Sequence, residues 1–206
     1  MRRFLRGERI KAFISHSAKD KNGIAFINKI FGGIEGNSAY FYSYQGVNPP
    51  HAGTLKEVIQ TQCNSLFVLL SEYLLQHRFT ASWVSYEVGL AHASGMNVWV
   101  FEDVTGDSIN IPIPFVSAYV QRGRNISSRS TFPYDFVGDF AGTVIPSKPN
   151  TSSLDGVKYY DRITCSNNNC KANFSVYLTK EKFYCPVCRK PIKFNQLETA
   201  PSTRSV

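Results

Sequence analysis

Residues 64–71 read NSLFVLLS, five consecutive apolar side chains closed at each end by small polar ones. A strand without polar alternation has both faces covered, as in a parallel sheet wrapped by helices. Outward from this run the pattern repeats. Downstream lie MNVWVFED (96–103) and VSAYVQ (116–121), and upstream AYFYS (39–43) and KAFIS (11–15), each readable as a short strand. Between them IAFINKIF (24–31), TLKEVIQTQC (54–63) and SWVSYEVGLAHASG (82–95) carry helical spacing. Strands alternating with helices predict an α/β fold, five parallel strands flanked by helices and joined by right-handed crossovers. Ligands of such sheets sit outside the carboxyl ends of the strands, here residues 15–20, 43–53, 71–73 and 102–103.

With 206 residues, 43% apolar and only 18% charged, the chain can fill a core, which excludes a disordered protein. A net charge of +8 favours an anionic partner, whether nucleotide, nucleic acid or membrane surface. The N-terminal MRRFLRGERIKAF lacks the apolar run of a secretion signal, and no window approaches the ~18 apolar residues of a membrane span. The expectation is a cytoplasmic protein with no membrane partner.

In the 82–95 helix, Trp83, Val84, Val88, Leu90 and Ala91 fall on one arc, and Glu87 lands inside it. A carboxylate there costs several kcal/mol to desolvate, so the position needs a buried partner or a task at a pocket rim.

The ordered set KAFISHSAKD, AYFYSYQGVNPPHAGTLKEVI, SLFVLLSEYLLQHRFTASWVSYEVGLA and MNVWVFE resembles the Toll/interleukin-1 receptor (TIR) domain family, especially its prokaryotic, NAD-cleaving branch. The likeness spans roughly residues 10–122, and W-x-x-x-E is its sharpest element. The resemblance implies a five-stranded flavodoxin-like sheet. It also implies cleavage of NAD+ with release of nicotinamide, Glu87 being catalytic and Trp83 one turn before it. Members of this branch act in antiviral defence, assemble through the TIR domain and pass a nucleotide signal to a downstream effector. His16 stands where many relatives outside the branch carry an aromatic, and the 44–53 loop is long and rich in proline.

The chemistry agrees with the residue types. Nicotinamide leaves as a neutral ring from a cationic one, so positive charge moves to the ribose in an oxocarbenium-like transition state. A fixed carboxylate stabilises that charge and orients the ribose hydroxyls. Substrate-binding candidates are Ser15, His16, Trp83 and Phe41, the last as a flat wall for nicotinamide, with Tyr42 or Tyr44 as alternatives. Hydrolysis would give ADP-ribose, and ring closure a cyclic ADP-ribose-type signal.

Near the C-terminus, Cys165, Cys170, Cys185 and Cys188 form C-x4-C-x14-C-x2-C, the spacing of a zinc ribbon with four thiolates on a structural Zn²⁺. KANFSVYLTKEKFY (171–184) reads as two short strands between the cysteine pairs. The expected organisation is a TIR domain over 1–127, an irregular docking segment and linker over 128–157, a separate zinc ribbon over 158–196 and a flexible tail over 197–206. Lysines interleaved with Phe174, Tyr177, Phe183 and Tyr184 permit nucleic-acid binding by the ribbon. The alternatives to an NAD-consuming enzyme are a non-catalytic TIR assembly adaptor and a nucleic-acid-binding zinc-ribbon protein.

Overall fold

The structure, a computed structural model, describes residues 10–31, 38–42, 52–74, 76, 78–103, 109–122, 158–178 and 182–193. Strands β1 (Lys11–Ser15), β2 (Ser38–Phe41), β3 (Ser65–Leu70), β4 (Asn97–Asp103) and β5 (Ala118–Arg122) pair in parallel in the order 2-1-3-4-5. The chain order reverses direction between β1 and β3, the place where open α/β sheets bind ligands. All six residues of β3 are buried, as its unbroken apolar run predicts.

Period-two alternation sorts the strand side chains into two layers. Phe13, Leu66, Val68, Leu70, Val98, Val100 and Tyr119 face one side, under α3 (Arg78–Ala93), whose Val84, Val88 and Ala91 meet them. Ile14, Phe67, Leu69, Trp99, Phe101 and Val120 face the other, under α1 (Lys21–Phe31), which supplies Ile27 and Phe31. The helix α2 (Ala52–Glu57) runs into a π-helical continuation over Val58–Gln62 and adds Leu55 and Ile59 to the first layer.

Both long helices have defined ends. Asp20 caps α1, its Oδ1 accepting the amide of Gly23 at 2.8 Å. Gly23 has a reason of its own: a Cβ there would collide with the Asp20 carboxylate and the Arg122 guanidinium. Helix α3 closes with Gly95 at φ +70°, the Met96 amide bonding to the Ala91 carbonyl and the Gly95 amide to that of His92. This is a Schellman termination, and its left-handed residue favours glycine.

The sheet does not end at β5. Strand β7 (Asn173–Leu178) pairs with β5 in parallel and β6 (Lys158–Thr164) pairs with β7 antiparallel, giving seven strands among the described residues in place of the five expected. The two strands expected within 171–184 exist, but they do not pair with each other: β8 (Lys182–Tyr184) pairs with β9 (Pro191–Lys193). The reason lies in burial. Phe174, Val176 and Leu178 enter one layer and Tyr177 the other, so β7 is covered on both faces and behaves as an inner strand. The cysteine lobe therefore shares the core of the sheet and is not the separate unit its cysteine spacing suggested. The docking segment expected over 128–157, the tail over 197–206 and most of the 44–53 loop, including Tyr44, lie outside the described residues.

Candidate active site and metal centre

Glu87 sits in the buried stripe of α3 with Val84, Val88 and Ala91, spaced i, i+3, i+4 and i+7, and only 5% of its surface is exposed. No described residue forms an ion pair with it. Its neighbour is Ser15, at the carboxyl end of β1 and 1% exposed, which by alternation faces the α3 layer with Phe13. Burial pushes the Glu87 carboxyl up to about 7, and the Ser15 hydroxyl dipole offsets a part of this by favouring the charged form. Ser15 Oγ itself has no hydrogen bond of ordinary geometry, and Ser71 Oγ, just past the end of β3, is likewise buried and unpartnered among the described residues. Among the described residues, two unpartnered hydroxyls and an acid without a counter-charge thus mark the carboxyl edge of the adjacent strands β1 and β3. Unsatisfied buried groups cost about 1–3 kcal/mol each, which a polar ligand at that edge would relieve.

The other expected contacts divide between the two layers. His16 Nδ1–H donates to the Ile14 carbonyl at 2.9 Å, leaving Nε2 as the second nitrogen. Burial lowers its pKa, against the opposing pull of that carbonyl and of Asp20, so the ring is neutral near pH 7. The imidazole meets the Phe41 ring edge-on, centroids 5.4 Å apart. Phe41 packs with the α1 layer, however, whereas Glu87, Tyr40, Tyr42 and Trp83 belong to the α3 layer. Of the aromatic walls considered from sequence, Tyr42 therefore shares the layer of Glu87, and Phe41 lies across the sheet edge. Trp83 is half-buried and meets Tyr86 edge-on at 5.6 Å.

Two buried ion pairs frame the same edge. Arg122, at the end of β5, donates from Nη2 to Asp20 Oδ2 at 2.9 Å, pinning the loop after β1. Arg189 holds Glu102, at the end of β4, in a fork: Nη2 to Oε1 at 2.6 Å and Nη1 to Oε2 at 3.2 Å. The Tyr119 hydroxyl donates to the same Oε2 at 2.6 Å. Burial first, then the Glu102 charge, holds this phenol well above the usual tyrosine range. The sequence places Arg189 directly after the C-P-x-C knuckle, and its left-handed backbone, φ 58°, turns it back toward the sheet. That role was invisible among the other basic residues of the lobe.

The four cysteines converge as their spacing predicts. All four Sγ atoms lie within 4.8 Å of one another, Cys165 to Cys188 at 3.7 Å and Cys170 to Cys185 at 3.9 Å. Tetrahedral Zn–S bonds of about 2.3 Å require sulfur–sulfur edges of about 3.8 Å, so the cluster fits a four-thiolate ion such as zinc, while the ~2.05 Å of a disulfide is far off. Burial raises the Cys165 and Cys185 thiols. At Cys188 the same effect is outweighed by the Lys190 amide, Asn167 and neighbouring thiols, which bring it down to about 7. With four sulfurs as ligands no position remains for substrate. The fifth cysteine, Cys63, is a buried thiol pushed up by burial to about 12, in keeping with a small core hydrophobe.

No helix among the described residues is long and apolar enough to cross a membrane. No protein-family model matches the chain, and no curated protein matches it in sequence.

Proposed function

We propose that this chain is a TIR-type NAD+ nucleosidase that breaks the N-glycosidic bond between nicotinamide and ribose. The observation that carries the reading is Glu87: a carboxyl buried without a cationic partner among the described residues, raised to about 7, beside the Ser15 hydroxyl at the strand-order reversal. A structural acid would be expected to have a counter-charge, as Asp20 and Glu102 do. A scaffold that only assembles has no use for an uncompensated one.

In the reaction the C–N bond breaks and its electron pair goes to the ring nitrogen, turning the pyridinium into neutral nicotinamide. No acid is needed to protonate the leaving group. The cationic ribose draws Glu87 into its ionised form, because an opposite charge lowers a carboxyl pKa, and the carboxylate then stabilises the oxocarbenium-like centre. Ser15 positions the Glu87 carboxyl, Tyr42 or Trp83 offers the flat wall, and neutral His16 supplies a ring nitrogen to the sugar. Water captures the ribosyl cation to give ADP-ribose with loss of a proton, or an adenine nitrogen captures it to give a cyclic product. The four cysteines are assigned as the ligands of a structural Zn²⁺. Self-association through the sheet domain and delivery of the product to a downstream effector in antiviral defence belong to the same reading. Incubation with NAD+ followed by chromatography tests it: nicotinamide should appear with ADP-ribose or a cyclic isomer, and intact NAD+ at every protein concentration sinks it.

A further inference from the structure

A cleft of about 560 Å³ lies between the turn at Cys165–Asn169 and the β8–β9 hairpin, and Glu87 is not among its lining residues. We infer that this cleft binds single-stranded nucleic acid, with Tyr184 stacking on a base and Lys190 contacting phosphate.

The register of the hairpin places the ring. Tyr184 is paired with Pro191, so their side chains stand on one face, and Pro191 lines the cleft. The alternate pair, Phe183 and Ile192, is buried in the core. Tyr184 consequently stands on the open face of the hairpin, next to the cleft residue Pro191, with 40% of its surface exposed. The Arg189 guanidinium lies over its ring, 5.8 Å from the centroid, fixing the ring in place while Glu102 neutralises that charge. A pre-set aromatic ring beside a cationic groove is how single strands are held without regard to sequence.

The cleft walls suit the same ligand. Asn168 and Asn169, both exposed, present amides that are donor and acceptor at once and match the edges of unpaired bases, while the Asn167 amide is taken up by Lys190 and the Cys188 thiol. The Lys190 ammonium, exposed, donates to Asn167 Oδ1 at 3.4 Å on the rim. The cleft borders the metal centre through Cys165, no carboxylate lines it among the described residues, and its polar walls do not suit a lipid chain. From residue 162 to 196 the sequence has seven Lys and Arg against one acid, Glu181, a surplus of six in a chain of net charge +8. The lobe stays positive after subtracting the two net negative charges of a divalent ion on four thiolates. An acidic peptide would satisfy the cations and leave the ring and the amides without a task.

The test is fluorescence anisotropy of the metal-loaded full chain with fluorescein-labelled oligouridylate, at about 50 and about 200 mM salt. Micromolar binding that weakens with salt is expected. Tyr184→Ala should lose about 5-fold or more, from the ~1–3 kcal/mol of one stacked base, and Tyr184→Phe should retain affinity. Lys190→Glu should weaken binding and flatten the salt slope by about one. Both side chains are exposed, so metal content and melting temperature should stay at the parental values. Absence of binding overturns the inference, as does parental affinity in both Tyr184→Ala and Lys190→Glu. So does equal affinity for a labelled polyglutamate of the same length.

Discussion

Replacing Glu87 by Gln should remove the proposed NAD+ cleavage and stabilise the protein at the same time. In the folded chain burial raises this carboxyl from its ordinary 4.5 to about 7. Between those pH values the native state keeps a proton that the unfolded chain has released, so stability falls as pH rises through the window and levels off above about 7. At ~1.4 kcal/mol per pH decade the interval corresponds to about 3 kcal/mol at pH 8 and to about 1 kcal/mol or less at pH 5. Glutamine is neutral at both pH values, and its amide can donate to Ser15 Oγ, which has no hydrogen bond of ordinary geometry among the described residues. The variant should therefore exceed the parent by about 3 kcal/mol at pH 8, roughly 6–12 °C in melting temperature for a chain of this size, with most of the gain gone at pH 5. Denaturant titrations of both proteins at the two pH values measure this. Other titrating groups, such as His16, cancel in the difference between the two proteins. Equal stabilities at pH 8, or a gain independent of pH, would refute the reasoning that Glu87 is buried without compensation.

The remaining expectations concern the cysteine lobe. Arg189→Met leaves Glu102 buried beside Tyr119 with no counter-charge and should cost about 3–5 kcal/mol, much of it regained in the double variant Arg189→Met/Glu102→Gln. A loss below about 1 kcal/mol in thermal denaturation would show that the ion pair does not join the lobe to the sheet. Substituting Cys185 and Cys188 by Ser should abolish a metal content near one per chain, measured by elemental analysis. Because the Ile113 amide bonds to the Pro186 carbonyl and Phe183 stacks on Tyr119, hydrogen exchange in β4 and β5 should rise in the same variant. Unchanged protection there would mean the metal supports only its own knuckle.

Much of this arrangement is legible in the sequence because local pattern and long-range packing agree. The apolar run at 66–70 needs both faces covered, and β3 has them covered. Glu87 can be placed in the buried stripe from helical spacing alone, since 84, 88 and 91 fix that stripe on either side of it. The cysteine pairs announce their convergence through short spacing. The features that escape are those set by pairing across long separations. Nothing local in NFSVYL says that it will lie against β5, more than fifty residues earlier, and the C-x4-C spacing before it favours reading a self-contained lobe. Glu102 and Arg189 are 87 positions apart, and neither has a neighbour in sequence that names the other. Phe41 shows a subtler limit. In AYFYS every residue of 40–42 is aromatic, so alternation gives two equally good faces, and only the pairing of Ile14 with Phe41 assigns the ring to the α1 layer.

The account rests on Glu87 acting on the nicotinamide-bearing ribose, and nicotinamide release by the parent and by Glu87→Gln tests that most directly. With both proteins folded and at the same high concentration, the variant should release nicotinamide from NAD+ at least ~100-fold more slowly, the loss typical when one preorganised electrostatic contact to a transition state is removed. Equal release by the two proteins would contradict the assignment.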